Sequence, residues 1–141
     1  VYFTTNGTRA IAACGGAAAV YAGALTNAAA LARHVVAAHP GQPVLLLCAG
    51  SLGRFSLEDF VGAGHLVRAL RAAGDYAPSD AALAAEFASL GADTGTALAA
   101  SRVGRMLARA GLGEEIAHAA DCDSCDVVPV LRDGLLVRAA A

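Results

Sequence analysis

Apolar residues fall along this chain in two patterns. Short continuous runs at Val1-Tyr2-Phe3, Ala19–Gly23 and Val44–Ala49 alternate with longer stretches in which apolar residues recur every three or four positions. The first run predicts a short strand. Thr4 to Thr8 is then a polar turn, and Arg9 to Cys14 begin a short helix that Gly15-Gly16 breaks. Ala19–Gly23 predicts a buried strand. Thr26 or Asn27 caps the helix that follows, which runs to about Ala38. Val44–Ala49 is the clearest strand: it is apolar throughout, as a central parallel strand covered on both faces would be.

Ser56, with Asp59 in the N3 position, opens a further helix whose apolar face is Phe60, Val61, Leu66, Val67 and Leu70. Ser79 precedes a helix over Asp80–Leu90. Gly95–Ala110 predicts another, with Leu98, Met106 and Leu107 pointing inward. Val127–Leu131 and Leu135–Val137, joined through Arg132-Asp133-Gly134, predict a β-hairpin. The expected fold is therefore α/β: a mostly parallel sheet with helices on both faces and a C-terminal hairpin. Residues 1–141 read as one unit, with no internal repeat and no linker. In such sheets ligands bind beyond the carboxyl ends of the strands. The loops Thr4–Arg9 and Gly50–Asp59 hold that position on different strands, so they can converge on one ligand.

Composition alters this picture little. Hydrophobic residues make up 57% of the chain, but 37 of its 141 residues are alanine, which contributes little transfer free energy. The uncharged run Ala10–Ala32 is long enough to cross a bilayer, yet it is mostly Ala and Gly, so no membrane span is expected. A net charge of −2 gives no reason to expect nucleic acid or a membrane surface as partner. Cys14 and Cys48 lie in apolar surroundings and read as buried free thiols, which fits a reducing cytoplasm. Cys122 and Cys125 form a C-x-x-C with only His118 nearby, so coincidental thiols are favoured over zinc or redox chemistry. His34 and His39 read as surface residues, and His65 as a packed or exposed histidine.

Two loops could carry chemistry. Thr5, Asn6, Gly7, Thr8 and Arg9 offer hydroxyls, an amide, accessible backbone N–H groups and one guanidinium at a helix start, the requirements of an anion site. Ordinary turn capping explains the same residues. In the second loop Gly50 and Gly53 permit close backbone approach and Arg54 adds another cation. Glu58 and Asp59 are adjacent carboxylates that could hold a hard cation or act as acid and base, or simply favour a helix N-terminus.

Together these loops resemble a known family. "TTNGTRA" at Thr4–Ala10, "GALTNAAALA" at Gly23–Ala32 and "LLLCAGSLGRFSLEDFVGAG" at Leu45–Gly64 are similar, in order, to the 2-phosphosulfolactate phosphatases. "SRVGRMLARAG" at Ser101–Gly111 and "VVPVLRDGLL" at Val127–Leu136 resemble the family's C-terminal part. The resemblance implies Mg²⁺-dependent hydrolysis of 2-phospho-3-sulfolactate to 3-sulfolactate and phosphate, in coenzyme M biosynthesis or sulfolactate metabolism. With that activity, the chemistry of the two loops leads to the expectation that Thr5–Arg9, Gly50 and Arg54 hold the substrate and that Glu58 or Asp59 binds metal or orients water. Three departures stand out. No Asp-x-x-Arg-Ala segment, which the family carries near its beginning, is present, so the chain is expected to be the larger C-terminal part of a longer protein. Gly62 and Val103 stand where the family often has Cys and His, and Glu115-Ile116 where Asp is expected. The alternative is a non-catalytic or truncated relative that binds a phosphorylated or sulfonated small acid. An Ala-rich helical surface could also pack against a second copy of the chain.

Overall fold

The computed structural model describes residues 6–140. Among them are seven α-helices and one two-stranded sheet, so the expected parallel sheet with helices on both faces is not what forms. The helices are α1 (Gly7–Ala13), α2 (Ala28–Ala38), α3 (Leu57–Ala73), α4 (Asp80–Leu90), α5 (Thr94–Ala100), α6 (Arg102–Arg109) and α7 (Gly113–Ala119). The strands are β1 (Pro129–Arg132) and β2 (Leu135–Arg138).

Of the strands expected in the first half, the two that fall within the described residues do not form a sheet with each other. Val1–Phe3 lies outside the described residues. Ala19–Gly23 provides a single antiparallel bridge, Tyr21 to Val130, flanked by hydrogen bonds from Ala22 N–H to the Pro129 carbonyl and from Leu131 N–H to the Val20 carbonyl. Val44–Ala49 pairs with no strand among the described residues. Its Val44 and Leu46 side chains pack inward, while Leu45 is 89% exposed and Leu47 55%. A continuous apolar run reports burial and extended backbone, but it does not supply a neighbouring strand.

The hairpin forms as expected. Pro129 lies opposite Arg138 and Arg132 opposite Leu135. Asp133 and Gly134 both take positive φ (50° and 78°), the backbone that a tight two-residue turn needs.

Helix packing supplies the core. Ala30, Leu31, Ala32 and Val35 of α2 meet Leu70 of α3 and Val128, with Tyr21, Val36, Val44 and Leu46 around them. A second cluster joins Leu25, Val61, Ala97 and Leu98. The α3–α4 contact is very close: a methyl at Gly64 would sit 1.9 Å from the Ala85 carbonyl oxygen. An Arg71 guanidinium nitrogen lies 2.9 and 2.6 Å from the two carboxylate oxygens of the buried Glu86 across the same interface.

Two helix boundaries also differ from expectation. The single helix expected over Gly95–Ala110 is two, broken at Ser101, whose hydroxyl accepts the Gly104 N–H at 2.9 Å and caps α6. The break turns Met106 outward, 55% exposed, while Leu98 stays buried. At α2, neither Thr26 nor Asn27 supplies the side-chain cap. Asn27 is buried and ties together Ala22, Ala24 and Val127, and Asp123 accepts the Ala29 N–H at 2.7 Å instead.

Candidate functional site

The start of α1 meets the loop before α3. Leu52 N–H donates to Asn6 Oδ1 at 3.2 Å, so the two loops singled out in the sequence do touch. Gly7, Thr8 and Arg9 form the first turn of α1, with Thr8 and Arg9 exposed. Thr5 lies outside the described residues.

Gly50–Arg54 is a tight reversal closed by Ser51 and Arg54, whose backbones exchange hydrogen bonds at 3.0 and 3.1 Å. Gly50 is required there twice over. Its φ is +69°, and a Cβ would come within 2.8 Å of the Arg54 carbonyl oxygen. Leu52 also takes positive φ, 54°, which is costly for a residue with a side chain. Arg54 is exposed. Phe55 stacks at a tilt on Phe60, with ring centroids 5.3 Å apart, and so ties the reversal to α3.

Ser56 caps α3, its hydroxyl accepting the Asp59 N–H at 3.3 Å. Asp59 reaches back and accepts the Gly50 N–H at 2.7 Å, so this carboxylate holds the loop. Glu58 points elsewhere. It lines a cleft of about 250 Å³ between the N-terminal ends of α3 and α6, together with Ser51, Ser56, Ser101, Arg102 and Arg105. The adjacent carboxylates thus have separate surroundings, as neighbours on a helix should.

Arg102 and Arg105 were not anticipated as site residues. The sequence pattern placed them inside one continuous helix and gave them no role. The available signal was Ser101 before two arginines three positions apart, a capped helix start with both cations on one face. Arg102 donates to the Ser51 hydroxyl and Arg105 to the Ala100 carbonyl.

The cysteines do not behave alike. Cys48 is exposed, not buried as expected. Partial desolvation, and then the charge of Asp59, push its thiol above the ordinary range. The Cys122–Cys125 segment is fastened to the start of α2: Asp123 N–H donates to the Leu25 carbonyl at 3.0 Å and Cys125 N–H to the Thr26 carbonyl at 2.8 Å. His65 of α3 lies 3.1 Å from Asp123.

Comparison with known proteins decides the family. The family described as 2-phosphosulpholactate phosphatase matches residues 1–134. The chain belongs to this family. A relative from Deinococcus radiodurans, named probable 2-phosphosulfolactate phosphatase, is 38% identical over 100% of this chain and 59% of its own length. Relatives of the same name from Symbiobacterium thermophilum and Thermus thermophilus are 34% and 36% identical, over 97% and 94% of this chain and 59% and 56% of their own lengths. The chain therefore spans less than two thirds of the phosphatases it matches. Among its described residues, no helix is long and apolar enough to cross a membrane.

The donor chemistry bears on the Mg²⁺ expected from the sequence resemblance. Among the described residues no group of three or more His, Cys, Asp or Glu side chains could hold a metal ion. Glu58 at the cleft and Asp59 beside it suit a different arrangement, in which Mg²⁺ takes one or two carboxylates and completes its shell with water and substrate phosphate.

Proposed function

We propose that the full-length protein hydrolyses 2-phospho-3-sulfolactate to 3-sulfolactate and phosphate in the cytoplasm, and that this chain holds the substrate. Coenzyme M biosynthesis or sulfolactate metabolism would use that reaction. The observation that carries the reading is the junction of the two loops through Asn6 and Leu52, beside a cleft lined by Glu58.

In this reading Thr5, Asn6, Gly7, Thr8 and Arg9 grip one anionic group, with Arg54 on the adjoining loop, whose sharp start Gly50 provides. Glu58 or Asp59 would hold Mg²⁺, which would neutralise charge developing on the phosphoryl oxygens. Asp59 keeps the Gly50 backbone in place, and Glu58 orients water at the cleft. The test is phosphate release from 2-phospho-3-sulfolactate by the full-length protein, with and without Mg²⁺. Metal-dependent release that falls at least tenfold in Arg9→Ala supports the reading; no release with saturating Mg²⁺ rejects it.

One observation favours the alternative, a non-catalytic binder. Of the two candidate carboxylates, Asp59 is already engaged by the Gly50 backbone. Tight binding of phosphorylated acids without phosphate release would select that alternative.

A further inference from the structure

We propose that Arg102 and Arg105 form a second anion subsite, which holds an acidic group of the substrate other than the phosphate. The kind of substrate rests on the phosphatase reading above; the subsite itself rests on the cleft.

The first argument is electrostatic. Arg102 and Arg105 occupy the first turns of α6, where the helix dipole disfavours positive charge, and no acidic residue stands in that first turn. Among the described residues neither guanidinium forms an ion pair, although Glu58 lines the same cleft. A bound anion reverses this unfavourable arrangement. It would meet two guanidinium groups and the N-terminal end of α6 together.

The second argument is positional. Each arginine is anchored by a single hydrogen bond among the described residues, Arg102 to Ser51 and Arg105 to Ala100. A guanidinium has five donors, so one anchoring bond leaves most of its capacity for a ligand. The Ser51 anchor lies in the Gly50–Arg54 reversal, so this subsite directly adjoins the proposed phosphate-holding loop.

The third argument is size. A cleft of about 250 Å³ lies at the small end of ligand pockets, which begin near ~300 Å³. It has room for one acidic end of a small molecule. A phosphorylated sulfolactate carries a sulfonate and a carboxylate within a few bonds of its phosphate, and either matches a planar guanidinium pair.

The test compares two substrates in the full-length protein. One is 2-phospho-3-sulfolactate; the other is 4-nitrophenyl phosphate, which has no second acid. Arg102→Gln and Arg105→Gln should each raise KM for the first by about 10- to 100-fold, while kcat/KM for the second changes by less than about threefold. Arg105→Lys, which keeps charge without the fork, should fall between. Arg68→Gln, exposed on α3, controls for loss of charge. Equal losses on both substrates, or no change on either, overturn the proposal. If the wild-type protein hydrolyses neither compound, the phosphatase reading has failed on its own. Calorimetric titration with 3-sulfolactate then decides the subsite: at least tenfold weaker binding in Arg105→Gln supports it, and unchanged or absent wild-type binding overturns it.

Discussion

The Asp59 carboxylate grips the Gly50 N–H at 2.7 Å, from the first turn of α3 back to the start of the loop that precedes it. Its charge also raises the Cys48 thiol pKa, after the larger effect of desolvation. Asp59→Asn keeps an acceptor for Gly50 and removes the charge. Cys48 should then alkylate faster at pH 8, modestly so because desolvation remains. Peptide-resolved mass spectrometry of the alkylated protein measures this, and an unchanged Cys48 rate would show that the two groups do not interact. Asp59→Ala, which also frees the loop, should cost about 1–3 kcal/mol of stability.

Leu52 sits with φ at 54° and its side chain 74% exposed, so its backbone strain is not offset by burial. Leu52→Gly should relieve that strain and stabilise the protein by up to about 1 kcal/mol. Denaturant unfolding reads the change. A destabilised variant would mean that the Leu52 side chain contributes packing that its exposure does not suggest.

Gly64 allows α3 and α4 to touch backbone to backbone. Gly64→Ala would drive a methyl against the Ala85 carbonyl and should lower stability by about 1–3 kcal/mol. The thermal midpoint should drop by roughly 5–10 °C. A midpoint within a degree of wild type would mean that the interface can slide.

Asp93 caps α5. The Thr96 N–H, then the Thr96 hydroxyl, hold its carboxyl below the ordinary value. Because the folded value is depressed, ionised Asp93 favours folding above the unfolded value of about 3.9. That contribution is lost as pH falls through this range toward the folded value. Asp93→Asn should therefore unfold with a shallower dependence on pH between about 5 and 3 than wild type. Parallel curves for the two proteins would remove the linkage.

Local signals were legible wherever the chain's own neighbours complete the structure. Ser56, Ser79 and the Asp133-Gly134 turn act within a few residues of themselves, and all three do what their positions suggested. Signals that need a distant partner were not. Val44–Ala49 carries the composition of a central strand, but composition cannot name what lies beside it. The α2 cap comes from Asp123, far along the chain, while nearby Asn27 is used to tie three segments together. At the candidate site the two loops touch through Asn6 and Leu52, but not at the ends of parallel strands, the placement from which their convergence was expected. The arginines of α6 were missed because helical periodicity runs on through Ser101 and masks the cap signal that this serine carries.

That interruption works as an elbow. Ser101 ends α5 and begins α6, and Gly104 lets the forearm fold so tightly that a Cβ there would sit 2.0 Å from the Leu98 carbonyl oxygen. The aim of two guanidinium groups thus depends on one hydroxyl and one missing methyl. Straightening the elbow would restore the single long helix that the residues themselves favour and would swing both cations away from the cleft. The reach of this arm is set at its joint rather than at its hand.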